Sequence, residues 1–121
     1  MERREVILSP EALGDLEALY DHIAADSGPA RAIGYIERIE AFCRRFDLAG
    51  RRGHSRDDIR PGLRIVGFER RVTIAFHVDA KAVVIDRILY GGRNIARTFK
   101  HDDVWHHSRV RFNHRANWLL L

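Results

Sequence analysis

The sequence predicts an α+β protein, a two-layer sandwich in which an N-terminal helical hairpin lies on a small antiparallel β-sheet. Three observations predict it. Apolar residues recur at helical spacing in two consecutive segments between residues 10 and 46; three runs rich in β-branched and aromatic residues follow between 63 and 90; and the links inside each group are short enough for hairpins. At 121 residues with 45% hydrophobic content the chain can bury one core and suits a single domain.

The first element is a short apolar strand, Val6 to Leu8, expected to pair at one edge of the sheet. Ser9 and Pro10 then read as N-cap and first helical residue, and Leu13, Leu16, Leu19, Tyr20 and Ile23 carry the helix to about Asp26. A Gly28–Pro29 break separates it from a second periodic set, Ala32, Tyr35, Ile36, Ile39, Phe42, Cys43 and Phe46. From Ala49 to Gly62 glycines, arginines and an Arg-Pro-Gly turn interrupt all periodicity, which reads as an exposed basic loop. Leu63–Phe68, Val72–Val78 and Val83–Tyr90 are the strands of a meander. After Arg97 no period is visible. Residues 1–97 therefore form the predicted domain, and 98–121 an extension that is either disordered or folded back, since Trp118 and three terminal leucines would otherwise leave an apolar patch in water.

The net charge is +4 and the isoelectric point near 9.8. Its distribution says more than its total. Residues 9–26 hold five acidic residues and no Lys or Arg, whereas 44–71 hold nine arginines against four acidic residues, a net of +5. Arginine outnumbers lysine 19 to 2, which suits bidentate contacts to phosphate or carboxylate and equally reflects a GC-rich coding sequence. The lone Cys43, in an apolar stretch, reads as a buried thiol in a reducing compartment. No leader and no membrane-spanning run are visible, so the cytoplasm is the expected location.

With "LSPEALGDLEALYDHIA", the Gly–Pro break, "DDIRPGLR", the hairpin strands and "RILYGGRN" in that order over residues 5–97, the chain resembles the ParE branch of the RelE/ParE superfamily, the small toxins of bacterial type II toxin–antitoxin modules. The resemblance implies the same helical hairpin on a sheet. It also implies a cognate acidic antitoxin as partner and DNA gyrase as the target of a toxin that acts by binding. RelE-like members of the superfamily are instead ribosome-dependent mRNA endonucleases, and fold alone does not choose between the two.

Cleavage of RNA by its own 2′-hydroxyl needs a base, an acid and a cation that converge in space. Tyr90 and Arg93 are the candidate acid and cation, with Arg64, Arg71 or Arg87 assisting and His77 as base. Alternation in "VTIAFHV" places His77 on the solvent face instead, Tyr90 reads as an aromatic closing a strand, and Gly91–Gly92 as a turn that displays Arg93. The expectation is a binding protein and not an enzyme. Arg56, Arg60, Arg64 and Arg93 are the residues expected to recognise the target or the antitoxin, although the loop also reads as a solvated linker. An mRNA interferase using Tyr90, Arg93 and Arg64 is the first alternative, and a non-toxic basic RNA-binding module the second. His101, Asp102, Asp103, His106 and His107 are metal-ligand types without a closed set, so no metal and no cofactor are expected. Walker loops, Ser–His–Asp elbows and CxxC pairs do not occur, which leaves nucleotide hydrolysis, ester hydrolysis and thiol redox chemistry unsupported.

Overall fold

A computed structural model of the protein describes residues 4–47, 52–91, 95–101, 110–112 and 118–120. Strand β1 (Glu5–Leu8) leads into helices α1 (Pro10–Ser27) and α2 (Pro29–Arg44), and a single 3-10 turn (Arg45–Asp47) ends the helical layer. A short β2 (His54–Ser55) precedes the meander β3 (Arg64–Phe68), β4 (Val72–Val78) and β5 (Ala82–Tyr90); α3 (Ile95–His101), β6 (Val110–Phe112) and β7 (Trp118–Leu120) complete the chain. The sheet order is β2-β3-β4-β5-β1-β6-β7.

The helix starts follow from local chemistry. Ser9 is extended at φ −71°, ψ 160°, and its Oγ accepts the Ala12 N–H at 3.0 Å while donating to the Asp86 carbonyl at 2.8 Å, so one hydroxyl caps α1 and ties it to β5. Gly28, at φ +93°, ends α1 with its N–H on the Ala24 carbonyl and lets Pro29 open α2 at once. The apolar faces of both helices then meet the sheet. Leu16, Leu19, Ile39 and Cys43 pack on Ile74, Phe76, Val83 and Ile85, and an aromatic row runs Tyr35, Phe68, Phe42, Phe46, Phe76 with neighbouring centroids 4.9–6.1 Å apart.

The meander is antiparallel as the sequence implies, and the sheet as a whole is mixed, because β1 lies parallel to β5 with Glu5 opposite Ala82 and Leu8 opposite Ile85. β1 borders the meander, but β6 pairs with its other side, Leu8 opposite Val110, so it is an interior strand and not an edge. Strand β5 carries an extra residue: Phe76 faces Ile85 and Ala75 faces Arg87, leaving Asp86 as a bulge. The bulge shifts the alternation. Val83 and Ile85 before it, and Ile88 and Tyr90 after it, all point into the helix-side core.

Two features of this layer differ from the sequence reading. The stretch from 52 to 62 is ordered, with β2 on β3, the Arg56 N–H on the Leu63 carbonyl at 2.7 Å, and the Asp57 carboxylate accepting the Gly62 N–H at 2.7 Å. The sheet face away from α1 and α2 is also covered, since Leu63, Ala75 and Phe99 form a second buried cluster with Ile59, Ile65 and Ile95 around it. The basic loop and α3 share one apolar contact that charge density hides.

Gly53 is held at φ +83°, and a Cβ there would meet the Ile65 carbonyl oxygen. Gly53→Ala should lower the free energy of unfolding by about 2 kcal/mol, the order of left-handed strain plus the displaced strand, read from urea denaturation midpoints. Burial pushes the Cys43 thiol up to about 12. Its reaction with a disulfide reagent at mildly alkaline pH should therefore proceed only at the rate of global unfolding and become immediate in denaturant; prompt labelling of the native protein would contradict the packing described here.

Candidate functional site

Three segments distant in sequence enclose a groove of about 690 Å³: the end of α1 and start of α2, the tip of the β3–β4 hairpin, and Tyr90 at the end of β5. At the hairpin tip Glu69 and Arg70 occupy the left-handed region, φ 48° and 62°, a conformation that residues with a Cβ rarely adopt. Arg38 of α2 clamps that tip with two bonds to Glu69, 3.0 and 3.2 Å, and its guanidinium lies 5.0 Å from the Tyr35 ring centroid. The Tyr90 ring stands 5.5 Å from His22. A smaller hollow of about 210 Å³ continues past these two rings to Asp15.

The Tyr35 hydroxyl is shut off from solvent with no hydrogen-bond partner among the described residues. Burial, and then the nearness of Glu69 and Tyr90, raise its pKa above the usual phenol value, against the lowering effect of Arg38 and Arg71. It stays a protonated donor through the physiological range. Arg31 and Arg71 also line the groove, and neither has a salt-bridge partner among the described residues. The lining thus offers the guanidiniums of Arg31 and Arg71 and aromatic surface, beside the carboxylates of Asp26 and Glu69.

The residues expected from the sequence to recognise a partner lie elsewhere and have partners of their own. Arg56 grips Asp58 with two 3.0 Å bonds, Arg60 places its guanidinium 4.8 Å from the Phe99 ring centroid, and Arg64 donates to the carbonyls of Arg52 and Gly53 at 3.1 and 3.0 Å. Arg93 lies outside the described residues, as do Asp102, Asp103, His106 and His107. Tyr90 and Arg64 do not converge: Tyr90 is opposite Val72 and so in line with Phe68, whereas Arg64 is opposite Phe76, four residues or about 13 Å along β3. Arg87 is bound to Asp15 by two 2.8 Å bonds. Among the described residues no group of three or more His, Cys, Asp or Glu side chains could hold a metal ion, and no helix is long and apolar enough to cross a membrane.

His77 faces away from the helices, yet it is only 23% exposed, because its Nδ1 lies 2.7 Å from the carboxylate of Asp86, the bulge residue. Burial holds the Asp86 carboxyl above the ordinary aspartate range, and His77 opposes that rise. The pair is a structural brace between β4 and β5.

The comparisons with known proteins agree with this architecture. Residues 6–95 match the family model described as "ParE toxin of type II toxin-antitoxin system, parDE". The chain belongs to the ParE toxin family. It is 32% identical over 91 residues to Toxin ParE3 of Caulobacter vibrioides, an alignment covering 75% of this chain and 90% of the relative. It also resembles a chain from the solved "Chromosomal ParDE TA system from P. aeruginosa", with TM-score 0.66, 27% identity, and 74% of this chain and 97% of that one covered. As a ParE-type toxin of a type II toxin–antitoxin system it carries the family's sandwich from β1 to the first residue of α3, and everything from residue 96 onward lies beyond the family match.

The raised pKa of Asp86 has a definite sign in stability. Folded Asp86 keeps its proton to higher pH than in the unfolded chain, so its contribution to stability falls as pH rises from the ordinary value near 3.8 through the folded one. Asp86→Asn should remove that fall: in urea titrations across the acid range the stability of the wild type relative to the variant should decline with rising pH and then level off.

Proposed function

We propose that this ParE-family toxin acts by binding a macromolecular target, that the target is DNA gyrase, and that a cognate acidic antitoxin neutralises it in the cytoplasm. The observation that carries the non-catalytic reading is the separation of Tyr90 from Arg64, together with the engagement of Arg64 by two backbone carbonyls. An acid and a cation whose backbone positions lie two strands apart and are offset by about 13 Å along the sheet are poorly placed to act on one phosphodiester. The support for gyrase as target is the family resemblance.

For recognition, Arg56, Arg60, Arg64 and Arg93 remain the proposed contacts with the target or the antitoxin. An antitoxin carboxylate on Arg56 would have to displace or share Asp58, so such exposed, salt-screened pairs add little to affinity and show mainly in association rate and salt dependence. Apolar burial would hold the complex together.

The purified toxin should inhibit gyrase supercoiling and leave ribosome-bound mRNA intact, and Tyr90→Phe should not alter either result. Site-specific mRNA cuts that vanish in Tyr90→Phe or Arg93→Ala would establish an interferase instead. Binding to RNA that falls steeply with salt, without effect on gyrase, would leave the RNA-binding module.

A further inference from the structure

We infer that the β6–β7 hairpin is a plug built into this chain: it fills the strand-addition edge of β1 in cis and so keeps that edge from pairing with β1 of a second copy. The inference concerns the sheet alone and does not depend on what the toxin binds. The strands that carry it lie beyond the family match, which ends at residue 95.

On one side the backbone of β1 pairs with β5, from Glu5–Ala82 to Leu8–Ile85, and on the other with β6, at Ile7–Arg111 and Leu8–Val110. Without β6 that second side would end the sheet and present a row of N–H and C=O groups with no other partner strand among the described residues. Val6, Ile7 and Leu8 are all buried, Val6 and Leu8 in the helix-side core and Ile7 with Ala82 and Val84 in a separate cluster on the opposite face. The strand is therefore apolar on both faces. Two devices that keep natural edges from pairing, a proline and an inward-pointing charge, are missing from Val6–Leu8. A second copy fits such an edge, because antiparallel pairing of β1 with its own copy closes a two-fold dimer around one continuous sheet.

The hairpin moves the end of the sheet outward to a shorter strand. With it in place the sheet terminates in β2, two residues long, and in β7, three residues long, and very short edge strands suppress edge-to-edge association. Tethering decides the competition. A strand on the same chain acts at an effective concentration of about millimolar, so against a second copy at micromolar concentration the cis pairing is favoured by about a thousandfold for equal contacts. The contact itself is small, two register pairs on β1, so a single backbone change in β6 is enough to open it.

The test uses the full chain throughout. Arg111→Pro removes a backbone donor from β6 and blocks its pairing, whereas Arg111→Ala changes the side chain and keeps the donor. Sedimentation velocity over a range of micromolar concentrations should find the wild type and Arg111→Ala monomeric and Arg111→Pro in a monomer–dimer equilibrium, and an excess of a synthetic peptide of residues 108–121 should return Arg111→Pro to the monomer. Hydrogen exchange locates the contact: β1 amides that point away from β5 should exchange slowly in the wild type, and in Arg111→Pro slowly only in the dimer. A monomeric Arg111→Pro overturns the inference in either case, since fast β1 amides would show that the open edge recruits no second copy, and slow ones that β6 is not held by this pairing. A wild type that dimerises as strongly as Arg111→Pro, or a dimer of Arg111→Ala equal to that of Arg111→Pro, overturns it as well.

Discussion

The carboxylate of Asp15 holds the two layers of this molecule together. It accepts two bonds from Arg87 and one from the Ile88 N–H, each 2.8 Å, and the Asp15 and Arg87 side chains are only 9% and 16% exposed. Leaving either charge there alone would cost about 3–5 kcal/mol, a large share of the ~5–15 kcal/mol that keeps a domain folded. The pair sits where the β5 bulge changes the strand's alternation, so it also fixes which side chains look toward the helices. Without the shift at Asp86, Ile88 and Tyr90 would point to the opposite face, and the groove would lose one of its walls.

Much of the fold was legible because it rests on local chemistry. Ser9–Pro10 and Gly28–Pro29 mark helix boundaries through backbone constraints that act within a few residues, and the three meander strands are bounded by turns just as local. The parallel pairing of β1 with β5 was not legible, since a short apolar run does not say which neighbour it takes or in which direction. Nor was the cover on the outer face. Its signal was present in Ile95 and Phe99 at one helical turn and in Ile59 and Leu63 among arginines, but each of these pairs has a meaning only beside the other.

The candidate site was less legible than the fold for a related reason. Charge density picked out Arg56, Arg60 and Arg64, yet a sequence shows charges without showing whether they are already matched, and the structure gives these three an aspartate, an aromatic ring and two carbonyls. In the sequence Tyr35 is one more apolar position of α2. Its periodicity is indeed that of the core, and only the hydroxyl's isolation and the approach of Arg71 and Tyr90 from other segments mark it as different.

The parallel pairing of β1 with β5 has a temporal side. The first strand leaves the ribosome with no backbone partner; Ala82, which faces Glu5, is 77 positions further on, and at ordinary synthesis rates it follows roughly 4–15 s later. Helices α1 and α2 can form in that interval, but the sheet they must cover has no centre until β5 emerges beside β1. Until β5 is made, the apolar faces of α1 and α2 have no continuous sheet to cover, and the core cannot close.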